Sequence, residues 1–361
     1  MTAFRNFFSV NNFVFGKGCF NELPTIIEKQ RLETPSFFVY LVDEVFKGKP
    51  LEKRIPLSSG DFIIWLGTQN EPKTSKVDEL TQQILKGHDQ LPAGIVGIGG
   101  GIMMDYAKAI SLTLTNPGPS ESYQGLDLIK NKGVWSACIP TIAGTGAEVS
   151  MTAVLSGPEK KLGIKCDYTV ANQIILDPEL CEGVPAPQRF YTGMDSYIHA
   201  VEALTGHCRN TFGDAYGEKS LAMCQDVFLN YDNIYSPEAD EKLMVASYLG
   251  GLSLTYSQVG VCHALSYGLS HVLGTHHGLA NCICFNHLED FYGDYVGEFH
   301  QMLKRHKIEL PQGITKDLPR EKLTEMAQVA YALDHMWLHA LGEDWQNKID
   351  IKTLEDLFAR L

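Results

Sequence analysis

Residues 95–108 read IVGIGGGIMMDYAK: an apolar run ends in three glycines, Gly99, Gly100 and Gly101, and an apolar, helix-favouring stretch follows. Strand, tight turn and helix N-terminus in this order form an anion site, because bare backbone N–H groups and the positive end of the helix dipole face the ligand. Glycine is needed because a Cβ would block the close approach of a pyrophosphate. The stretch predicts a dinucleotide-type loop. A plain structural turn is the alternative, since the pattern is not G-x-G-x-x-G.

A second feature lies downstream, where Asp195 and His199 are four residues apart. On a helix that spacing puts both side chains on one face, one turn apart. Two further histidines, His263 and His277, follow along the chain. One carboxylate with three imidazoles suits Fe(II) or Zn(II), whereas Mg and Ca prefer oxygen ligands. These four residues are predicted to bind a divalent metal, and unrelated core or surface histidines are the alternative.

Another histidine pair has the same helical spacing and could hold a metal by spacing alone. It consists of His335 and His339, within Asp334-His335-Met336-Trp337-Leu338-His339. Nothing else near the end of the chain completes a ligand set, so we do not expect a metal there.

The periodicity of the chain changes near residue 185. Before that point, short apolar runs alternate with helix-like segments, at residues 36–42, 62–66, 94–98, 135–140 and 173–176. Such runs predict a parallel sheet with helices on both faces. After it, helical patterns follow at residues 193–204, 213–228, 241–253 and 320–341. We therefore expect an α/β dinucleotide-binding domain over residues 1–185 and an all-α domain, carrying the metal and substrate sites, over residues 186–361.

Composition limits the class of function. The 361 residues carry a net charge of −13 without a Lys/Arg-rich run, so nucleic acid is not an expected partner. No apolar stretch is long enough to span a bilayer, and the first residues lack a signal-peptide layout. The nine cysteines are scattered without CxxC pairs and indicate reduced thiols. A cytoplasmic protein is expected, without nucleic-acid or membrane partners.

Several separate motifs together resemble the iron-containing (group III) alcohol dehydrogenases, in order and in register from about Phe15 to about His287. These motifs are Gly99-Gly100-Gly101-x3-Asp105-x2-Lys108, Pro140-Thr141-Ile142-Ala143-Gly144-Thr145-Gly146-Ala147-Glu148, Asp177-Pro178, Gly193-x-Asp195-x3-His199-x2-Glu202, and His263 followed by His277-Gly278-x-Ala280-Asn281. The resemblance implies a dehydroquinate synthase-like fold and a metal-dependent enzyme. Such an enzyme oxidises an alcohol to an aldehyde or ketone, or the reverse, with NAD or NADP. The same register favours His277 over the adjacent His276 as a ligand.

The cofactor residues follow from the same resemblance. It places the glycine turn (Gly99, Gly100 and Gly101) and Asp105 at the cofactor. Asp43 ends an apolar run, where a carboxylate accepts hydrogen bonds from a ribose and repels a 2′-phosphate, which favours NAD over NADP. A solvated acid at the end of a strand is the alternative for Asp43.

Two further cofactor assignments concern a threonine pair and a lysine. Thr141 and Thr145 resemble the hydroxyl groups of the family's second cofactor loop. Lys161 matches a cofactor-facing lysine of the family, although the neighbouring Lys160 could serve as well.

The chain also departs from the family pattern. Ile102 and Ile142 stand where the family usually has small hydroxylic residues, and Tyr267 stands where many members have a histidine near the reacting carbon. Tyrosine has an ordinary pKa of about 10 and is a poor base at neutral pH without help, so His271 is a second candidate for the proton relay. These departures point to a specialised branch, resembling 3-deoxy-D-manno-octulosonate 8-oxidase.

The residues also bear on the charge of the substrate, the class of reaction and the assembly. An acidic substrate would need a cation, for which Lys165 and Arg189 are candidates. A dehydroquinate synthase-like lyase is an alternative that the sparse basic residues and the Asp195/His199 pair disfavour. A non-catalytic binding protein on the same fold is another. A homodimer is expected, with residues 12–15 pairing as a strand across its interface.

Overall fold

The computed structural model describes residues 7–361, and our interpretation of the first six residues lies outside that range. The described chain forms two compact units. One comprises residues 7–142 and 147–182, and the other comprises Ala143–Gly146 and Gly183–Leu361. The short segment Ala143–Gly146 therefore belongs to the unit that also contains the C-terminal half of the chain.

The first unit is built on a parallel six-stranded sheet of order β1-β9-β6-β4-β2-β3. Its strands are β1 (Asn12–Phe15), β2 (Phe38–Asp43), β3 (Phe62–Leu66), β4 (Gly94–Gly99), β6 (Trp135–Pro140) and β9 (Gln173–Leu176). Strands β4 and β6 are buried at nearly every position, because the central strands of a parallel sheet are covered on both faces. The five predicted apolar runs correspond to β2, β3, β4, β6 and β9, with ends that differ by at most two residues.

Helices α1 (Leu23–Glu33), α2 (Thr74–Leu85) and α3 (Gly101–Thr113) accompany this sheet. A smaller sheet of order β5-β8-β7 consists of β5 (Gly125–Leu126), β7 (Thr152–Ser156) and β8 (Lys161–Lys165). The smaller sheet was not predicted, because β7 alternates buried and half-buried residues and β5 has only two residues, so neither forms a continuous apolar run.

Asp177, which follows β9, connects that strand to the segment after its neighbour β1. Its two carboxylate oxygens accept hydrogen bonds from the backbone N–H groups of Gly18 (2.9 Å) and Phe20 (3.0 Å), and one of them also accepts from Glu179 (3.1 Å). The side chain is fully buried. These bonds satisfy N–H groups that begin two short 3-10 helices, so the Asp177-Pro178 motif has a structural role here.

The second unit is helical. Its helices are α4 (Ala186–Thr205), α5 (Thr211–Gln225), α6 (Pro237–Tyr256), α7 (Val261–Leu273), α8 (His277–Phe285), α9 (Glu289–Tyr292), α10 (Asp294–Arg305), α11 (Arg320–Tyr331), α12 (Asp334–Leu341) and α13 (Ile351–Phe358). In the described range no strand follows Leu176, and no helix is long and apolar enough to cross a membrane. The predicted fold class, an α/β domain with an all-α domain, is confirmed.

The predicted helix over residues 320–341 is two helices in the structure. Helix α11 ends at Tyr331, and α12 begins at Asp334. The indole Nε1 of Trp337 donates to the carbonyl of Ala330 at 2.7 Å. A side chain of α12 thus satisfies a carbonyl in the last turn of α11, which a continuous helix would have bonded to its own backbone.

Helix α4 positions the metal-ligand candidates. Nearly all of its residues from Arg189 to Leu204 are buried, and α5, α6 and α8 pack around it. A helix surrounded on all sides must bury its polar residues along with its apolar ones. Asp195 and His199 are therefore held in the interior, where their partners must come from neighbouring helices.

Candidate metal centre and cofactor turn

The four predicted metal ligands come together in the helical unit. Asp195 and His199 lie one turn apart on α4, His263 lies in the first turn of α7, and His277 is the first residue of α8. One potential ligand atom from each residue lies within 4.8 Å of the other three. In the described part of the chain, no other group of three or more His, Cys, Asp or Glu residues is arranged to hold a metal ion.

The imidazoles converge on one carboxylate oxygen. Oδ1 of Asp195 lies 3.4 Å from Nε2 of His199, 3.3 Å from Nε2 of His263 and 3.6 Å from Nε2 of His277. Oδ2 of Asp195 and Nδ1 of His199 are buried without a hydrogen-bond partner in the described structure. Three imidazoles and a carboxylate, drawn together with buried polar atoms left over, fit a first-row divalent ion such as Fe(II) or Zn(II).

Burial and charge set the ionisation of these groups. Burial lowers the pKa of His199 to about 4, although Asp195 opposes this, so its imidazole is neutral at neutral pH. Burial would raise the pKa of Asp195, but the imidazoles of His199, His277 and His263 hold it below its usual range. Asp195 is accordingly ionised at neutral pH. A carboxylate and a neutral imidazole are the forms in which these side chains bind metals.

A carboxylate behind the ligands orients His263. Oε2 of Glu202 lies 2.5 Å from Nδ1 of His263, and Oε1 accepts hydrogen bonds from the Tyr292 hydroxyl (2.6 Å) and the Cys262 N–H (2.7 Å). Glu202 and His263 are almost completely buried. Burial would lower the pKa of His263, but Glu202 and Asp195 raise it to about 9. The Nδ1 proton is thus held toward Glu202, which turns Nε2 toward Asp195.

The glycine turn lies at the carboxyl end of β4, in the α/β unit. Gly99 ends β4 and Gly101 begins α3, so the turn delivers the chain directly into a helix N-terminus. At Gly99 φ is +156°, and a Cβ would lie 2.3 Å from Cγ of Met103 and 3.2 Å from Cβ of Asp43. Any side chain would clash there. The close backbone path explains why residue 99 is a glycine. Gly100, which precedes α3, has no side chain, so the first N–H groups of that helix lack a side-chain cap.

Two predicted cofactor residues border this turn. Asp43 ends β2, which is next to β4 in the sheet, and its carboxylate accepts a hydrogen bond from the Val45 N–H at 3.0 Å. Burial raises the pKa of Asp43. Thr141 follows β6 on the other side of β4, and its N–H donates to the carbonyl of Gly99 at 2.9 Å. The sheet order thus brings Asp43, the turn and Thr141 to one edge.

Lys161, predicted as cofactor-facing, lies in a buried ion pair. Its Nζ is 3.0 Å from Oε2 of Glu71, and the lysine side chain is 1% exposed. The alternative Lys160 is exposed, and its Nζ donates to the carbonyl of Gln124 at 3.4 Å. The two candidates therefore differ in burial, since Lys161 is buried and Lys160 is exposed, a difference that the sequence did not reveal.

Asp105 and Lys108 form a second buried charge pair on α3. The Lys108 ammonium lies 3.8 Å from Oδ1 of Asp105 and donates to the carbonyls of Ala147 (2.7 Å) and Thr152. Burial raises the pKa of Asp105 to about 7, with Lys108 opposing. Lys108 thus connects α3 to the first residue of β7 and to the segment before it, which is a structural role.

Comparisons with known proteins agree with these sites. Residues 11–178 match the sequence profile described as "Iron-containing alcohol dehydrogenase", and residues 189–333 match that of the "Fe-containing alcohol dehydrogenase family, C-terminal". The chain belongs to the iron-containing alcohol dehydrogenase family. The predicted class of enzyme is confirmed: a metal-dependent oxidoreductase that interconverts alcohols and aldehydes with NAD. The lyase alternative is set aside.

Relatives and solved structures extend the comparison. The chain is 29% identical over 284 residues to a sulfoacetaldehyde reductase of Bilophila wadsworthia, covering 77% of this chain and 72% of that protein. It is 29% identical over 299 residues to an NAD-dependent methanol dehydrogenase of Bacillus methanolicus, covering 78% and 74%. The crystal structure of a sulfoacetaldehyde reductase from Bifidobacterium kashiwanohense in complex with NAD+ shares the fold, with a TM-score of 0.80, 21% identity and 99% and 98% of the two chains covered.

The two proton-relay candidates of this iron-containing alcohol dehydrogenase differ in position. Tyr267 is buried on α7, one turn beyond His263, and its ring centroid lies 5.8 Å from that of His277 and 6.5 Å from that of His263. His271 lies one turn further along α7 and is half-buried. Within residues 7–361, no hydrogen bond or ring contact connects His271 to the four ligands.

The remaining candidates have other positions. Nε2 of His339 lies 2.8 Å from the carbonyl of Glu202, and its Nδ1 accepts from the Cys208 N–H at 3.1 Å, so this histidine caps the C-terminal end of α4. Both ring nitrogens of His339 are thus engaged by backbone groups. Arg189 forms a buried ion pair with Asp240, which makes it unsuitable as a free cation for an acidic substrate. Thr145 belongs to the helical unit, whereas Thr141 belongs to the α/β unit.

Two residues behind the ligand candidates were not predicted from the sequence. They are Glu202, which contacts His263, and Tyr292, which donates to Glu202. For Glu202 the signal was its spacing, three residues after His199 on the same buried helix. For Tyr292 there was no signal, since it lies 90 residues from Glu202 and only the packing of the helices brings it close.

Proposed function

We propose that this enzyme oxidises a small alcohol to an aldehyde or ketone, or catalyses the reverse, with the metal on Asp195, His199, His263 and His277. NAD binds at the glycine turn. The observation that carries the proposal is the convergence of the three imidazole Nε2 atoms, at 3.3–3.6 Å, around Oδ1 of Asp195.

The four ligand candidates differ in charge and in exposure to solvent. A bound Fe(II) or Zn(II) ion acts as a Lewis acid that polarises the substrate oxygen. Asp195 offsets part of the positive charge, and His199 and His263 are fully enclosed. The His277 side chain is 24% exposed, so the substrate is expected to approach on its side.

The cofactor residues bind and orient NAD, which accepts or returns the hydride. The N–H groups of Gly99, Gly100 and Gly101 bind the pyrophosphate at the start of α3. Asp43 binds the adenosine ribose and repels a 2′-phosphate. The predicted contributions of Thr141, Thr145, Asp105 and Lys161 to cofactor binding belong to the same proposal. The Lys161 ammonium, which is buried in its pair with Glu71, would have to leave that pair to contact NAD.

Tyr267 is the better-placed proton donor of the two candidates. Its ring packs beside His263 and His277, whereas His271 lies a turn further along α7. A proton relay needs a group within reach of the substrate oxygen, directly or through a water molecule. Tyr267 therefore holds or releases the proton in our proposal, and His271 is the alternative.

A second candidate function rests on the cofactor turn. A methyl group of Ile142 lies only 3.2 Å from where a Cβ of Gly100 would be, so an apolar side chain packs against the turn. Together with Ile102 this favours weaker nicotinamide binding, as in a sugar-acid alcohol oxidase resembling 3-deoxy-D-manno-octulosonate 8-oxidase. In that case oxygen would replace the nicotinamide as the electron acceptor.

We also propose a homodimer formed through β1. In the described chain β1 is an edge strand with β9 as its one neighbour, and Phe13 (55%) and Phe15 (42%) are exposed. An open edge with exposed aromatic side chains favours pairing with another strand. A monomeric mass in solution would contradict this proposal, and Phe13→Asp should convert a wild-type dimer to a monomer.

The cytoplasm is the proposed compartment. All nine cysteines are free thiols, and seven of them are buried, as expected for a protein kept in reducing surroundings.

The test of the function is an anaerobic titration of metal-loaded protein with NAD and then NADP, followed by a panel of alcohols and sugar acids. The appearance of reduced-nicotinamide absorbance is expected. Turnover that requires oxygen and does not reduce NAD would instead support the oxidase.

The metal ligands are tested separately. His263→Ala should lose most of the bound metal and activity while keeping the fold, whereas His276→Ala, at the neighbouring histidine outside the ligand set, should keep both. Wild-type metal content in His263→Ala would contradict the ligand assignment.

A further inference from the structure

Asn281 lies among the metal-ligand candidates without a role assigned so far. It is on α8, four residues after His277, so the two side chains share one face of the helix. The side chain is fully buried. A buried amide requires polar partners, and their identity shows what the residue does.

The amide nitrogen contacts three of the four ligand residues. Nδ2 of Asn281 lies 2.7 Å from Oδ1 of Asp195, 3.2 Å from Nε2 of His263 and 3.2 Å from Nε2 of His277. These are the same atoms that converge to bind the metal, and they come from α4, α7 and α8. One side chain thus contacts candidate ligands on three separate helices.

The orientation of the amide follows from charge. With the nitrogen toward Asp195, an N–H donates to a carboxylate, while the opposite orientation would put a carbonyl oxygen against Oδ1 at the same short distance. The present orientation leaves Oδ1 of Asn281 buried without a hydrogen-bond partner in the described structure. The contact with Asp195 therefore determines the orientation of the Asn281 amide.

The carboxylate is the partner that the amide can keep when a metal is bound. A carboxylate oxygen has two lone pairs, so Oδ1 of Asp195 can accept from Asn281 and still act as a ligand, whereas an imidazole nitrogen has only one. The imidazole Nε2 atoms are also farther from the amide, at 3.2 Å, than Oδ1 of Asp195 is, at 2.7 Å. The hydrogen bond to Asp195 is therefore the one by which Asn281 positions a ligand.

We propose that Asn281 is a positioning residue of the metal centre, whose amide donates to Oδ1 of Asp195 and holds it beside the Nε2 atoms of His263 and His277. The proposal rests on the metal site of the proposed function. Residues that orient metal ligands contribute about 10–100-fold to metal affinity in other proteins. Asn281 differs from Glu202 in acting on the ligand atoms themselves rather than on the far side of an imidazole.

The test is a chelator-competition titration of the full-length protein with Co²⁺, with the visible spectrum of the bound ion as a second readout. Asn281→Ala is expected to weaken Co²⁺ binding by about 10–100-fold and to change the spectrum. Asn281→Ser, which keeps a shorter polar side chain that cannot reach all three ligands, should behave alike and serves if the alanine variant does not fold. Ile283→Ala, a buried truncation on the same helix without a polar group, should bind Co²⁺ as the wild type does.

The outcomes separate this inference from the proposed function. Wild-type affinity and spectrum in both Asn281 variants would overturn the role of Asn281 alone. Equal weakening in Ile283→Ala would also overturn it, since the effect would then come from packing. A wild-type protein that binds no Co²⁺ would overturn the metal site and this inference together.

Discussion

Oε2 of Glu202 lies 2.5 Å from Nδ1 of His263, with both side chains buried. Glu202 is itself bonded to the Tyr292 hydroxyl and the Cys262 N–H, so its carboxylate is held in place by groups other than His263. A buried carboxylate needs such partners. The metal centre is therefore built in two layers, with the ligands held by groups that do not face the metal.

Replacing Glu202 tests the outer layer. Glu202→Gln removes the charge that holds the His263 proton while keeping the size of the side chain, and we expect metal affinity to fall by about 10–100-fold. Chelator competition measures the effect. Tyr292→Phe, which removes one hydrogen bond to Glu202 and leaves its charge, should have a smaller effect. A larger loss in Tyr292→Phe than in Glu202→Gln would show that the carboxylate is not the orienting group.

Asp43 is expected to set the choice between NAD and NADP. Asp43→Asn removes the negative charge that would repel a 2′-phosphate, so the ratio of the NAD to the NADP dissociation constants should shift toward NADP by about tenfold or more, equivalent to 1.4 kcal/mol. Isothermal titration with each dinucleotide gives the ratio. Glu44→Gln removes an exposed charge one residue away and is the control. An equal shift in both variants would point to general surface charge.

Arg189 and Asp240 should contribute strongly to folding. The Arg189 side chain is 6% exposed and that of Asp240 is 9% exposed, so Arg189→Met leaves a buried carboxylate without its partner. We expect a loss of about 3–5 kcal/mol in the free energy of unfolding, measured by denaturant titration. The double variant Arg189→Met/Asp240→Leu should recover much of it. Lys322→Met, in an exposed pair with Glu325, should lose about 0–1 kcal/mol. Similar losses in Arg189→Met and Lys322→Met would mean that the buried pair contributes no more to the free energy of unfolding than an exposed one.

Asp105 should make stability depend on pH. Burial raises the pKa of Asp105 to about 7, whereas in an unfolded chain the pKa is about 3.9. Between these values the folded protein holds a proton that the unfolded chain has released, so the contribution of Asp105 to stability falls as the pH rises from about 4 to about 7.

Asp105→Asn cannot ionise and should remove that loss. Its melting temperature relative to wild type should rise across this pH window by at least about 2–4 °C, the shift that 1 kcal/mol gives in a domain of 150–250 residues, and then level off. Thermal unfolding at several pH values without cofactor measures it. Glu79→Gln, an exposed acid on α2, should run parallel to the wild type. A constant difference between Asp105→Asn and the wild type across the window would contradict the raised pKa.

Local patterns were sufficient for much of the fold. The apolar runs that became β3, β6 and β9 were predicted with their observed ends, because buried strands of a parallel sheet are continuous apolar segments bounded by polar residues. The smaller β5-β8-β7 sheet and the break between α11 and α12 were not predicted. The smaller sheet depends on pairing between segments distant in sequence, such as β5 with β8, and the break between α11 and α12 comes with a side-chain bond from Trp337 to Ala330; neither shows in the periodicity.

The sequence by itself determined the class of this protein and which side chains could bind a metal, because the ligand chemistry of Asp195, His199, His263 and His277 belongs to the residue types and their order. Only the tertiary structure decided that His339 caps a helix, that Arg189 is used by Asp240, and that Glu202 and Asn281 hold the ligands. Those roles arise where helices distant in sequence bury their polar groups against each other, and burial obliges each group to find a partner.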